Sequence, residues 1–266
     1  MAVKRAGLLA LCVLVAAPVA LVTERIAWPG GRVAQVLGRL FCSAVLRLLR
    51  IRIEVTGPLP PRRSGRLLVA NHVSWIDPLV LFAVSPAVIL AKREVGTWPV
   101  IAALTRLQGT VLVDRARRMQ IPKVNDALAQ RLQVGGNVLL FPEGTTHDGV
   151  RRGRFLTSHL ACLAKVVAPV RPSVQVAALA YSSPKAAWIG DDTLLPHLWS
   201  VLRRPGMTCR VAFGTPMEVP QPFDRKALGR TLAAEVEMVL QSPAHQARVA
   251  TPAANKRASG LIVTEA

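Results

Sequence analysis

The chain has 266 residues, of which 51% are hydrophobic but only 5% aromatic, and it carries a formal net charge of +19. This length suits one large domain or two small ones, and the charge suits an anionic partner, either a nucleic acid or an anionic membrane surface. The four cysteines share no CxxC or ligand-like spacing, which argues against a disulfide framework and against a zinc site.

The N-terminus contains the first predicted element. Lys4 and Arg5 precede an uncharged run from Ala6 to Thr23. As a helix this run would measure about 27 Å, which is marginal for a hydrocarbon core of about 30 Å. We interpret it as an uncleaved anchor or a helix sunk in one leaflet. The alternative is a secretory signal peptide, with small residues near Ala16 to Ala20.

The segment from 31 to 51 predicts an amphipathic helix. Its polar residues recur every three or four positions and form one stripe, which comprises Arg32, Gln35, Arg39, Ser43, Arg47 and Arg50. The opposite face comprises Val33, Val36, Leu37, Leu40, Phe41, Val45, Leu48 and Leu49. Such a helix would lie in the membrane interface, although a surface helix packed on a protein core has the same pattern. We therefore assign residues 1–50 to a membrane-associating unit.

The chain then alternates predicted strands and helices. Strands are expected at 51–56, 67–70, 87–90, 110–113, 138–141, 174–181 and 209–213, and helices at 79–84, 95–107, 120–134, 157–167 and 224–241. The alternation predicts an α/β fold, with a mixed, mostly parallel sheet flanked by helices, over residues 51–241. Residues 242–266 have little apolar periodicity and are expected to form a disordered tail.

The stretch NHVSWIDP, residues 71–78, lies between a predicted strand and a helix that Pro78 would start. An imidazole can take a proton near neutral pH, and a carboxylate can hold its other nitrogen. His72 and Asp77 are therefore a candidate general base and its orienting acid. A packed or capped histidine is the alternative.

Three further stretches follow predicted helices or strands. GTVLVDR, residues 109–115, ends on Arg115, whose guanidinium can bind a phosphate or carboxylate through two hydrogen bonds. FPEGTT, residues 141–146, contains Glu143, which can hold a hydroxyl, and Gly144, which allows close backbone approach. APVRP, residues 168–172, is a rigid entry to the next strand. Taken singly, these stretches equally suit a surface salt bridge, an ordinary loop and a structural linker.

Together, in this order and with these separations, the four stretches resemble the bacterial 1-acyl-glycerol-3-phosphate acyltransferases of the lysophospholipid acyltransferase superfamily. NHVSWID resembles the NHxxxxD motif of that family, which places His72 and Asp77 in the catalytic positions. GTVLVDR places Arg115 on the acceptor-binding arginine, and FPEGTT places Glu143, Gly144 and Thr145 on the third motif. The resemblance covers roughly residues 51–240 and implies the glycerolipid acyltransferase fold.

Two departures bear on the acceptor lipid. The family often has arginine where this chain has Thr146, and a Phe-Lys pair where it has Phe155-Leu156. FPEGTTxDG, with WIGDD at 188–192 and LPHLW at 195–199, more closely resembles the branch that includes lyso-ornithine lipid acyltransferases, whose acceptor has no phosphate. The resemblance thus implies 1-acyl-glycerol-3-phosphate as the acceptor, with lyso-ornithine lipid as the alternative.

The implied reaction moves a fatty acyl group from acyl carrier protein or acyl-CoA to the acceptor hydroxyl. A thioester is already activated, so we expect neither a cofactor nor a metal. The expected partners are membrane lipids, the lysolipid and the acyl carrier, on the cytoplasmic side of the bacterial inner membrane. A serine hydrolase would need a G-x-S-x-G elbow, which is absent, and a nucleic-acid-binding protein would need aromatics or a binding motif. A membrane scaffold without activity would not need the four motifs.

Overall fold

The structure is a computed structural model that describes residues 2–26, 31–92, 102, 105, 109–114, 118–150, 153–242 and 262–263. Its α-helices are α1 (Ala2–Ile26), α2 (Arg32–Leu48), α3 (Asp77–Val84), α4 (Ile121–Gln133), α5 (Leu194–Leu202) and α6 (Arg225–Gln241). Short 3-10 helices cover Arg118–Gln120, Ser158–Lys165 and Pro184–Ala186. As predicted, α3 begins with a proline in its first turn, and the Asp224 carboxylate caps α6 by accepting from the backbone N–H groups of Lys226 and Ala227.

Three helix predictions need comment. The helix expected at 157–167 is a 3-10 helix over Ser158–Lys165, which buries Leu160, Cys162 and Leu163. Helix α5 was not predicted: it contains Pro196 in its first turn and keeps Leu195 and Trp199 exposed, so its apolar residues show no clear period. The helix expected at 95–107 falls almost wholly outside the described residues.

The strands are β1 (Ile51–Thr56), β2 (Arg66–Ala70), β3 (Val88–Lys92), β4 (Val111–Val113), β5 (Val138–Leu140), β6 (Ser173–Tyr181), β7 (Met207–Phe213), β8 (Met217–Glu218) and β9 (Ile262–Val263). They form one sheet in the order β4-β3-β5-β2-β6-β7-β1-β9, with β8 beside β6. Neighbouring strands are parallel except that β6 runs antiparallel to β7 and β8. The predicted mixed, mostly parallel sheet is confirmed.

Of the predicted tail, the structure describes Ser242 and β9, and β9 pairs with Glu54 and Val55 of β1. Residues 243–261 and 264–266 lie outside the described residues, so disorder there stays a prediction.

Alternating side chains divide the core between the two faces of the sheet. On one face, Leu68 and Leu179 pack with residues of α1, α2, α3 and α5. On the other, Leu67 and Val69 pack with Leu128 of α4 and residues of α6 and the 3-10 helix at Ser158–Lys165. Because β5, β2 and β6 are adjacent and parallel, their carboxyl ends meet at one edge near the centre of the sheet.

Helix α1 meets the length and composition of a membrane span over Ala2–Val22, where the mean hydropathy is 2.3 and only 11% of the most apolar window is buried. It packs against α2 and α5. The Arg5 guanidinium donates hydrogen bonds to the carbonyls of Leu202 and Arg204, at the end of α5.

Helix α2 has two apolar faces rather than the single one predicted. Its buried residues are Ala34, Gly38, Phe41, Cys42, Val45 and Leu46. Ala34, Gly38 and Cys42 are small and four residues apart, a spacing that lets a neighbouring helix approach closely. Val33, Val36 and Leu40, assigned to the same face from the sequence, are 54–63% exposed. Helix α2 therefore contributes to the core and also carries a separate exposed apolar edge, and its place in the membrane interface stays a prediction.

Candidate active site

The loop between β2 and α3 is held at the carboxyl edge of the sheet by Asn71. Its side-chain amide donates to the Leu179 carbonyl at 3.0 Å, and its side-chain oxygen accepts from the Leu179 N–H at 2.8 Å. The amide thus extends the contact between β2 and β6 beyond their last paired residues, Ala70 and Ala177. His72 follows directly, so this clamp determines where the imidazole lies. The sequence motif included Asn71 but did not indicate this contact.

His72 and Asp77 are brought together by the loop. The Nδ1 of His72 lies 2.8 Å from Oδ2 of Asp77. A carboxylate can only accept, so Nδ1 carries the proton and Nε2 presents its lone pair. The Asp77 side chain is fully buried, whereas 18% of the His72 side chain is exposed. The pair can therefore accept a proton from a molecule that approaches Nε2.

The Asp77 carboxylate accepts three further hydrogen bonds. The backbone N–H groups of Val73 and Ser74 donate to Oδ2 at 2.6 and 2.8 Å, and the Tyr181 hydroxyl donates to Oδ1 at 2.6 Å. These donors offset the cost of burying the charge. Burial raises the pKa of Tyr181 well above its usual value, and the negative charge of Asp77 raises it further. Tyr181 thus remains a neutral hydroxyl donor. No sequence motif pointed to it.

The FPEGTT loop leaves β5, which neighbours β2, and packs directly on the histidine. The Phe141 ring stacks on the His72 ring with centroids 4.2 Å apart and planes inclined by 20°. Gly144 has φ +73°, a left-handed conformation suited to glycine, and its N–H donates to the Phe141 carbonyl at 3.0 Å. Past this turn, the His147 N–H donates to the His72 carbonyl at 2.9 Å. The loop therefore fixes both the ring and the backbone of His72.

The two other residues predicted in this loop, Glu143 and Thr145, differ in burial. Glu143 is buried, and its Oε2 lies 3.7 Å from Nε2 of His147. Thr145 is exposed. Glu143 thus belongs to the loop packed beside His72, and a role for either residue in substrate binding stays a prediction.

Thr146, at the position where the family often has arginine, holds the segment 188–192 beside the site. Its hydroxyl donates to the Trp188 carbonyl, and the Trp188 N–H donates to the Val73 carbonyl at 2.9 Å. The Trp188 indole in turn donates to the Asp192 carbonyl at 2.8 Å. This segment is therefore attached to both the FPEGTT loop and the histidine loop.

A second contact ties α5 to the histidine loop. The Trp75 indole donates to Nδ1 of His197 at 2.9 Å, and Nε2 of His197 lies 3.1 Å from the Ala187 carbonyl. His197 accepts at one nitrogen and can donate at the other, which is the bonding of a neutral structural imidazole.

The predicted acceptor-binding arginine, Arg115, lies outside the described residues, as do Arg151 and Arg152. Strand β4, which precedes Arg115 in the chain, lies three positions from β2 in the sheet. At about 4.8 Å per strand the two strands are roughly 14 Å apart. Contact between Arg115 and a substrate held at His72 stays a prediction.

The chain is similar to known proteins over the region that contains the site. A family model described as Acyltransferase matches residues 52–176, a range that includes His72, Asp77 and the FPEGTT loop. The lyso-ornithine lipid O-acyltransferase of Brucella abortus is 40% identical, over 77% of this chain and 82% of that protein. The 1-acyl-sn-glycerol-3-phosphate acyltransferase of Neisseria meningitidis is 32% identical, over 75% of this chain and 79% of that protein.

One solved structure has the same fold. The 1-acyl-sn-glycerophosphate acyltransferase PlsC of Thermotoga maritima superposes with a TM-score of 0.56 over 90% of this chain and 99% of its own length. At 16% sequence identity it supports the fold alone.

Proposed function

The chain belongs to the acyltransferase family, as its sequence motifs predicted, and from this premise we propose that it transfers a fatty acyl group to the free hydroxyl of a lysolipid. The observation that carries the proposal is the contact of 2.8 Å between His72 Nδ1 and the buried Asp77 carboxylate, which leaves Nε2 free to act as a base.

The reaction follows from this geometry. As the acceptor oxygen attacks the thioester carbonyl carbon, Nε2 of His72 takes the hydroxyl proton. The carbon–sulfur bond then breaks, and the imidazolium returns the proton to the departing thiolate. Asp77 holds the imidazole in the required tautomer and stabilises its positive charge. General-base catalysis of this kind contributes about 10²–10⁴-fold to the rate.

We propose direct transfer without an acylated residue. Ser74 is the hydroxyl nearest the pair in sequence, but its side chain is fully buried, and its Oγ has no hydrogen-bond partner among the described residues. A buried hydroxyl with no base beside it is neither accessible nor activated.

Two acceptors have support. Relatives named for lyso-ornithine lipid and for 1-acyl-sn-glycerol-3-phosphate both match over most of the chain, and the Brucella relative is the more similar of the two described. The Thr146 hydroxyl is bonded to the Trp188 carbonyl, and Leu156 is 48% exposed, so neither position supplies the positive charge that favours a phosphate. We therefore place lyso-ornithine lipid first and 1-acyl-glycerol-3-phosphate second.

We also propose the acyl donor and the location of the reaction. Acyl carrier protein and acyl-CoA are both acidic donors that a chain of net charge +19 would attract. The Brucella and Neisseria relatives are bacterial, and α1 is one apolar helix near the N-terminus. These observations support a site at the cytoplasmic face of the inner membrane, where the lysolipid is available.

The test compares the two lysolipids side by side, with purified full-length protein and one acyl carrier. We expect a higher kcat/KM for lyso-ornithine lipid. In Thr146→Arg, the ratio of the kcat/KM values for the two lysolipids should move at least about tenfold towards the phosphate acceptor. One charge-assisted hydrogen bond is worth about 1.5–3 kcal/mol.

The matched control is Thr231→Arg, which adds the same charge at an exposed position of α6. It should leave the acceptor ratio unchanged. Turnover of neither lysolipid by the wild-type protein would refute the proposed function, whereas equal shifts in the two variants would refute only the role of position 146.

A further inference from the structure

The two oxygens of the Asp77 carboxylate have different partners. Oδ2 accepts from His72 Nδ1 and from the backbone of Val73 and Ser74, all within the same loop. Oδ1 accepts from Tyr181, which lies 104 residues further along the chain. The loop alone therefore satisfies one oxygen, and the sheet supplies a partner for the other.

We infer that Tyr181 is a positioning residue for acyl transfer, whose hydroxyl fixes the rotation of the Asp77 carboxylate so that Oδ2 faces His72. This inference rests on the proposed function. The torsion that turns a carboxylate is broad, with no sharp staggered minima. A donor on each oxygen restricts that rotation, and a charge-assisted contact of 2.6 Å is a strong one.

Strand register explains why Tyr181 reaches the carboxylate. It is the last residue of β6, paired with Cys209 of β7. Alternation along β6 places it on the same face as Leu179, in the core cluster that contains α3. Since Asp77 is the first residue of α3, a strand near the middle of the sheet presents a donor to the start of the helix. The donor is thus held on a strand of the sheet rather than on the loop that carries His72.

Among the residues that the structure describes, few other titratable groups surround the Asp77 carboxylate. Cys209 faces it from β7, and burial raises the pKa of that thiol well above its usual value, so that it stays neutral. Arg210, which follows Cys209, is paired with Glu54 at 3.2 Å. Glu143 and His147 lie on the FPEGTT loop, where the His147 N–H bonds the His72 carbonyl. Tyr181 itself stays protonated, since burial and the Asp77 charge both raise its pKa.

Removal of the hydroxyl has a predictable direction. The tyrosine hydroxyl draws negative charge towards Oδ1, so without it the carboxylate attracts the proton on the imidazole more strongly. The His72 imidazole then becomes an unprotonated base only at a higher pH. Tyr181→Phe should move the acidic limb of the plot of kcat/KM against pH to higher pH, by about half to one pH unit. Because Tyr181 acts through Asp77, kcat should fall about tenfold or more while KM changes little.

The experiment uses the full chain and the better of the two lysolipid acceptors. The control is Val211→Ala, which alters the packing of the same core cluster, on the strand beside Tyr181, but keeps the Tyr181 hydroxyl and its neighbours on Asp77. Its acidic limb should stay in place. Tyr181 is the only tyrosine of the chain, so biosynthetic replacement by a fluorotyrosine alters this one hydroxyl. The phenol of fluorotyrosine is more acidic than that of tyrosine and is therefore a stronger hydrogen-bond donor. The acidic limb should then move to lower pH, in the direction opposite to that expected for Tyr181→Phe.

A readout without substrate separates this inference from the proposed function. Nitrogen-15 NMR of the histidine ring should show the same displacements in the titration of His72, even if no lysolipid is turned over. Opposite displacements in the phenylalanine and fluorotyrosine proteins support the inference. Equal displacements in both, no displacement in either, or a displacement in Val211→Ala as large as in Tyr181→Phe would overturn it.

Discussion

Replacement of His72 by alanine is expected to lower kcat for acyl transfer by about 10²–10⁴-fold, the usual contribution of a general base. The structure leaves one nitrogen of this imidazole for the acceptor, because Nδ1 is bonded to Asp77. The fold should tolerate the change, since the side chain is partly exposed and its only packed aromatic neighbour among the described residues is Phe141. Steady-state kinetics of the purified variant, with its melting temperature, measure both effects.

The matched control is Ser74→Ala in the same loop. It removes a buried hydroxyl that has no partner among the described residues and keeps the backbone N–H that bonds Asp77, so activity should stay near wild type. Wild-type turnover by His72→Ala would refute the base assignment. An acylated Ser74 peptide in a mass spectrum would instead refute direct transfer.

Asp77→Asn is expected to destabilise the fold as well as to lower the rate of acyl transfer. The Asp77 carboxylate accepts four hydrogen bonds while fully buried. An amide has one accepting oxygen and brings two donors of its own, so some of these groups lose their partners. Each buried unsatisfied group costs about 1–3 kcal/mol.

The parts of the site that could be predicted depend on contacts close in sequence. His72 and Asp77 are five residues apart, between an apolar strand and a proline-started helix, so their meeting follows from local structure. The strands over 51–56 and 67–70 likewise follow from alternation and apolar runs.

Contacts between distant strands and loops could not be predicted. Tyr181 meets Asp77 only through the register of β6, and Thr146 meets Trp188 across 42 residues. Neither side chain belongs to a pattern that indicates its partner. The same limit explains α2, where an apolar stripe could not reveal which of its residues face protein and which remain exposed. The role predicted for Arg115 still rests on its motif.

Deletion of residues 1–50 is expected to leave the protein unfolded and insoluble, rather than simply released from membranes. The deletion removes α2, whose Phe41, Val45 and Leu46 are buried in the core, together with the buried Leu49. Each such side chain contributes about 1.5–3 kcal/mol, so the four together approach the whole stability of a typical domain, about 5–15 kcal/mol. Solubility and thermal melting of the truncated chain measure this effect.

Deletion of residues 2–26 alone separates membrane attachment from folding. Only Leu9 and Ala20 of α1 are buried among its residues of described burial, so the rest of the domain should keep its fold. The protein should then leave the membrane fraction in a high-salt wash, or be retained more weakly through the exposed edge of Val33, Val36 and Leu40. A control with Leu11→Glu and Leu14→Glu changes only exposed positions of α1 and should match the deletion. Full retention of the 2–26 deletion after high salt would contradict the anchor, and a soluble, active 1–50 deletion would contradict the core role of α2.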